Sequence, residues 1–464
     1  MKEISRDIYN CHPCSQSRYQ RRQAFTMRLS CPLLLAIVGT LSSHAIHHQP
    51  SQDTLRFGTP ESVGLLSAPL RQLVANITGY QQPANYGGFS HNEMHPIEPS
   101  SAVIVGHDRT IVSLFASGNM LLYADANGTE LPRGQQLSAR PDTIYDLASL
   151  TKLFTTIAAL REIDTGRLAL DQTVASYMPS FAANGKENIT ILMLLTHTSG
   201  FAPDPEPPLY DPVYTTVEQR TAAILNQSLL HAPGSTYLYS DLNFMSLGLL
   251  LEHITHKALD ELIREYTDPL GMHDTFFNRG NIEGPAFPFY PRMAAEEYQI
   301  EVLGSMEPVR PQPVRGTVHD ENAWALDGVA GHAGLFSTVE DTAILCQMIL
   351  NNGTYGGRRI LSPEVVDLIF HNFNERFPGN EHGLGFELNQ YYTAGPMASL
   401  QTASHTGFTG TTMVIDRPSN TFFLLFANRV HPNRNWSSNN VAREALGYWV
   451  AKSLGRDVPF PPLR

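Results

Sequence analysis

Apolar and polar positions along this chain keep two different rhythms, and their order predicts the architecture. Ser101–Val105 and Thr110–Ala116 are β-rich runs joined at His107-Asp108-Arg109, the pattern of a hairpin. Far along the chain Ala403–His405, Thr411–Asp416 and Thr421–Ala427 are three more such runs, with the turn sequence Arg417-Pro418-Ser419-Asn420 between the last two. Helical spacing marks Leu65–Ile77 before the first hairpin, and Leu147–Thr165 after it, stopped by Gly166. Val217–Leu230, Asp241–His256, Leu259–Tyr266 and Ser337–Asn351 follow, and an amphipathic stretch, Asn440–Ser453, comes last. Ile282–Arg315 is rich in proline and glycine and reads as a long surface loop. Strands at both ends bracket a helical middle. The expectation is an α+β fold: one antiparallel sheet built from both ends of the chain, flanked by helices, with a mostly helical subdomain inserted. In residue terms, 46–165 and 332–464 form the sheet part and 166–331 the helical part, after a leader over 1–45.

The leader is set apart by charge. Residues 1–46 carry Lys2, Arg6, Arg18, Arg21, Arg22 and Arg28 against Glu3 and Asp7, in a chain whose net charge is −12. From Met27 a positive flank precedes an apolar stretch, Pro32–Leu41, and the small residues around Ser43-His44-Ala45. That is the anatomy of a signal peptide cleaved after Ala45, and it predicts a secreted protein. Six N-x-S/T sequons, at Asn76, Asn127, Asn188, Asn226, Asn352 and Asn435, suit the same route. Three of the four cysteines (Cys11, Cys14, Cys31) fall in the leader, so Cys346 stands alone in an apolar helical stretch as a buried thiol. No run of 18 apolar residues occurs, which argues against stable membrane insertion. The acidic balance argues against nucleic acid as a partner, because phosphate binding needs a basic surface.

Three local patterns carry chemistry. Ser149-Leu150-Thr151-Lys152 opens a helix, and residues three apart share a face, so the Lys152 amine can reach the Ser149 hydroxyl. A serine there lies near free backbone N–H groups and the positive end of the helix, suited to a developing oxyanion. A partly desolvated lysine can activate such a serine as nucleophile. Tyr239 follows a Pro233-Gly234 turn and precedes a helix capped at Ser240 or Asp241; neighbouring cations can favour its phenolate. His405-Thr406-Gly407-Phe408-Thr409-Gly410-Thr411 enters a strand, where Gly407 lets a substrate carbonyl approach the backbone. Each pattern alone has a plainer reading: a serine cap, a turn tyrosine, a glycine-rich strand with an incidental histidine. His319-Asp320-Glu321-Asn322 fits no zinc spacing and reads as a loop network, so no metal is expected. His197 and His332 sit in Gly/Ser-rich turns and are expected to hydrogen-bond the backbone.

Taken together, the three patterns resemble the serine β-lactamase and penicillin-binding-protein superfamily, for which S-x-x-K is a signature. The tyrosine motif and chain layout are similar to its class C β-lactamase-related branch, with its esterases, D-amino-acid peptidases and transesterases. Tyr145-Asp146-Leu147-Ala148, Leu194–Gly200 and Gly331–Ser337 add to the likeness, which covers about Val103 to Asn428. The resemblance implies an acylated nucleophile at Ser149, a proton partner at Lys152 and a second general base or acid at Tyr239. It also implies oxyanion donors at the backbone N–H groups of Ser149 and Phe408, with the site at the junction of the two subdomains. No cofactor is implied, and the partner is a small molecule or short peptide.

Two departures bear on substrate. Asp241 stands where Tyr-x-Asn is common, and a carboxylate beside Lys152 favours its charged form. His405 stands where a lysine is common, and a mostly neutral imidazole anchors a substrate carboxylate weakly. Both shift the expectation from β-lactamase toward esterase. The function expected is a secreted serine hydrolase cleaving an ester, amide or peptide through an acyl-enzyme on Ser149. The alternatives are an acyltransferase (transesterase) of the same fold and a catalytically silent binding protein.

Overall fold

The computed structural model describes residues 53–87, 94–299 and 310–462. The expected leader, with Cys11, Cys14 and Cys31, lies outside them. The central sheet holds β1 (Arg56–Phe57), β2 (Ser100–His107), β3 (Thr110–Leu121), β4 (Glu387–Leu388), β5 (Thr402–Thr406), β6 (Thr412–Asp416) and β7 (Thr421–Ala427). Their order is β1-β3-β2-β7-β6-β5-β4, so the early hairpin meets the late meander where β2 pairs with β7, Val103 opposite Leu425. Every pair is antiparallel except the parallel contact of β1 with β3.

Both faces of the sheet are covered. Ile104, Met413, Phe422, Leu424 and Phe426 face the larger core, while Val103, Val105, Val414, Phe423 and Leu425 face a smaller one. That explains why β7, TFFLLFA, reads as an unbroken apolar run: a strand buried on both sides has no polar face to alternate with. Burying each phenylalanine of that run contributes about 2–3 kcal/mol.

The helices are α1 (Ser67–Gly79), α2 (Thr151–Asp164), α3 (Val217–Leu225), α4 (Asp241–Thr255), α5 (Leu259–Leu270), α6 (Val339–Leu350) and α7 (Asn440–Ser453). Helices α1 and α7 close the smaller core, joined by Trp449 Nε1 donating to Asn76 Oδ1 at 2.9 Å. Leu160, Leu194, Leu250 and Ile263 share the larger core with the sheet, so the helical insertion packs as part of one unit, Pro50–Arg464.

Three expectations change. Helix α3 ends at Leu225 because Asn226 terminates it and Leu229 leaves to bridge Phe201. Helix α5 continues past Tyr266, since Thr267 and Leu270 bury, and Gly271 in the left-handed region closes it. The stretch 282–315 is no mere surface loop: Met293, Ala295 and Val314 are fully buried, and Ala295 bridges Arg315. Its prolines shape short turns that carry buried side chains, which residue composition alone does not distinguish from solvated chain.

Candidate active site

A small second sheet positions Ser149. Tyr145-Asp146 pairs with Phe336-Ser337, and the chain then turns sharply at Ala148, whose φ of +45° is a left-handed conformation costly for a non-glycine residue. Buried Asp146 pins that turn, one carboxylate oxygen accepting from Ala148 N at 2.8 Å and the other from His319 N at 2.6 Å. Ser149 follows as the second residue of a 3₁₀ turn that runs into α2, so its N–H has no intrahelical partner.

Lys152, fully buried, donates from Nζ to Ser149 Oγ at 2.8 Å and to His332 O at 3.2 Å. Its third neighbour is Asp241 Oδ1, at 2.7 Å. The carbonyl of His332 is within reach because Gly331 has no side chain: a Cβ there would lie 2.1 Å from Phe244 O.

Tyr239 reaches the same point from the start of α4. Ser240 N donates to His197 Nδ1 at 3.1 Å, which holds His197 in place to stack on the Tyr239 ring with centroids 4.5 Å apart. The ring lies 4.9 Å from Lys152 Nζ, and Tyr239 and Ser149 line the same cavity walls. Burial, then the Asp241 charge, push that phenol well above its ordinary value of 10, so the expected phenolate is replaced by a neutral hydroxyl. His197 meets the backbone as expected; His332 instead pairs its Nε2 with Asp320 Oδ1 at 3.0 Å.

The strand motif closes the other side. Thr409 and Thr411 donate to Asp146 O (2.7 Å) and Leu147 O (3.0 Å), tying the β5–β6 turn to the nucleophile segment. Gly407 lines the cavity and also serves that approach: a Cβ would lie 2.1 Å from Thr411 Oγ1 and 2.4 Å from Leu147 O. The backbone N–H of Phe408 is spent on no partner among the described residues, as an oxyanion donor requires. His405 donates from Nδ1 to Thr406 O at 2.8 Å, leaving Nε2 as a buried acceptor without a partner. Burial first, then Lys152, press its imidazole down to about 3. The weak anchor expected from an ordinary histidine is therefore no cationic anchor at any physiological pH.

Ser149, Tyr239 and Phe408 line both halves of a cavity. One half, about 380 Å³, runs along β5 to Glu387, Tyr392 and Arg443; the other, about 490 Å³, runs toward Asp204, Tyr210 and His319–Asn322. Asp241 borders the second half but faces Lys152, a charge partner more than a substrate contact. Sequence reading missed Glu387, Arg443, Asp146 and Asp204. Glu387 is buried, accepts from Tyr392 Oη at 2.6 Å and is pushed up to about 7 by burial. Arg443 is buried on α7 and holds Gly407 O at 3.0 Å. Glu387 and Arg443 sit in no motif. Asp146 lay within a quoted motif, and the prolines around Asp204 were a signal left unread.

Known proteins share this family and fold. The family model described as Beta-lactamase matches residues 93–448. Curated proteins of Salmonella paratyphi B and Salmonella typhi, each named "Putative D-alanyl-D-alanine carboxypeptidase", are 30% identical over 428 residues, covering 87% of this chain and 92% of theirs. Among solved structures, a penicillin-binding-protein homologue from Caulobacter crescentus superposes with a TM-score of 0.59 at 20% identity, over 83% of this chain and 97% of its own. The structure titled "EstCE1, a hydrolase with promiscuous acyltransferase activity" gives 0.58 at 21%, over 82% and 99%. Those two likenesses show the fold, the α+β arrangement expected from the sequence. With the family match over most of its length and relatives at 30% identity, the chain belongs to the beta-lactamase family, within the serine β-lactamase and penicillin-binding-protein superfamily.

Proposed function

We propose that this chain is a serine hydrolase that cleaves an ester, amide or peptide bond through an acyl-enzyme on Ser149, and that it works as an esterase more than as a β-lactamase. The observation that carries this reading is the contact of Lys152 Nζ with Ser149 Oγ, 2.8 Å, beside the Tyr239 ring, at the meeting point of two cavity halves. Ser149 Oγ attacks the carbonyl carbon. Its proton passes to the Tyr239 oxygen while the phenol gives its own proton to the departing alcohol or amine, so a neutral tyrosine shuttles protons without ionising. The Lys152 ammonium stabilises charge growing on Oγ, and the N–H groups of Ser149 and Phe408 hold the carbonyl oxygen. Water then attacks the acyl carbon, and its proton returns by the same phenol to Ser149 Oγ. An alcohol in the place of water would make the enzyme an acyltransferase; product analysis with and without added alcohol separates the two.

Labelling with a fluorophosphonate tests the reading. The adduct is expected on the peptide containing Ser149, and Ser149→Ala should lower kcat by about 10³-fold or more. Tyr239→Phe should cost about 10²–10⁴-fold with the fold retained. An adduct elsewhere, with Ser149→Ala fully active, overturns the mechanism; an unlabelled, inactive protein favours the silent binding protein. The same reading takes 1–45 as a leader removed on export. Secretion from a eukaryotic host with a new N-terminus near Ile46 supports it, and a cytosolic product that keeps Met1 overturns it.

A further inference from the structure

The larger cavity half takes no part in the proton chain, yet its charges are arranged with care. Its walls include Asp204, Pro205, Glu206 and Pro208 on one side and His319–Asn322 on the other. Three of its carboxylates already have side-chain partners: Asp241 has Lys152 at 2.7 Å, Asp320 has His332 Nε2 at 3.0 Å, and Glu321 has Arg434 at 2.5 Å. The side chains of Asp204 and Glu206 have no partner among the described residues. Each of these two acids stands between prolines, which fix φ and bias the residue before them toward extended backbone. Two unpaired charges are thus held in place beside the nucleophile.

Other groups in this half also suit a cation. His319, buried on the wall, hydrogen-bonds Glu297 Oε1 through Nε2 at 3.1 Å, and its Nδ1 has no partner among the described residues. The ring of Tyr210 borders the same space, and aromatic faces attract ammonium groups, as the Phe408 ring beside it already does with Arg429 at 4.5 Å. Asp204 reports the imbalance. Although the residue as a whole is exposed, local burial of its carboxyl, then the charges of Asp241 and Asp320, push it up to about 6, against the opposing pull of His332 and Lys152. Glu206, Glu321, Arg434 and His319 complete the charged and titratable groups around it.

Resting on the hydrolase reading above, we propose that this half of the cavity binds an ammonium group of the substrate, held by Asp204 and Glu206 while the reacting carbonyl sits on Ser149. The substrate class is a cation-bearing ester or amide. A positive ligand supplies the charge that the wall lacks, and its attraction strengthens as Asp204 ionises.

The test uses two nitrophenyl esters of one shape: 4-(trimethylammonio)butanoate, with a permanent charge, and its neutral isostere 5,5-dimethylhexanoate. At pH 8 and low salt the charged ester should have a kcat/KM at least about tenfold higher, a preference that shrinks with added salt and toward pH 5. The ratio, taken within each variant, should approach one in Asp204→Asn/Glu206→Gln, which cancels general damage. A ratio of one or less in the wild type, or one the double variant leaves unmoved, overturns the proposal while hydrolysis of the neutral ester upholds the hydrolase reading. If neither ester is cleaved, that reading fails, and calorimetry on Ser149→Ala with the two corresponding amides decides separately. Binding of the cationic amide alone, lost in the added double variant, supports the site; no binding or equal binding overturns it.

Discussion

Lys152 and Asp241 form an ion pair, Nζ to Oδ1 at 2.7 Å, on the nitrogen that also donates to Ser149 Oγ. The lysine is fully buried, and that carboxylate is its ionic partner. Asp241→Asn keeps the shape and removes the counter-charge. A buried charge that loses its partner is left uncompensated, and the hold of Nζ on Ser149 Oγ is disturbed. The expected outcome is a loss of about 10–10²-fold in kcat/KM. Higher activity in the variant would show instead that Lys152 works as a free base.

His405 lies beside Glu387 and Tyr239 with its imidazole pressed down to about 3 by burial. It is therefore neutral throughout the range from pH 5 to 9. For a carboxylated substrate such as a cephalosporin, a KM step near 7 belongs to Glu387 on the same wall, and in Glu387→Gln no step should remain near 6.5, where an ordinary histidine titrates. His405→Lys adds a cation to that wall and should lower the cephalosporin KM several-fold at pH 8, leaving a neutral ester nearly unaffected. Steady-state kinetics across pH with both substrates checks this, and a step near 6.5 in Glu387→Gln refutes it.

Gly407 is where strand and nucleophile segment touch. Gly407→Ala would put Cβ 2.1 Å from Thr411 Oγ1 and 2.4 Å from Leu147 O, so the two segments must part. Overpacking of this kind costs about 1–3 kcal/mol. Because Phe408 moves with its neighbour, kcat should fall about tenfold or more while substrate KM changes less. Thermal unfolding and kinetics on the purified variant measure both effects.

Glu98 is fully buried, and burial pushes its carboxyl from 4.5 up to about 8. Below pH 4.5 it is protonated in both folded and unfolded chains and costs nothing. Between 4.5 and about 8 the folded protein keeps a proton that the unfolded chain has released, so stability falls as pH rises; above 8 the deficit is constant. Glu98→Gln removes that dependence. Its Tm relative to the wild type should rise between pH 5 and pH 8, and a difference flat with pH would refute the assignment.

Much of the element order, and the closeness of Ser149 to Lys152, was legible along the chain. Helix α7 falls at Asn440–Ser453 and β7 at Thr421–Ala427 as the patterns predict, because burial on one side or two leaves a periodic trace along the chain. Ser149 and Lys152 were legible because three residues along a helix share a face, a purely local geometry. What only the tertiary structure decided is the electrostatic state of the site. Tyr239 is neutral, His405 uncharged and Lys152 paired because segments more than 80 residues apart bury them together and set Asp241 beside the lysine. The same holds for Gly407, whose missing side chain makes room for Leu147, over 250 residues earlier. Periodicity is written in neighbours along the chain, whereas desolvation and charge pairing depend on neighbours in space.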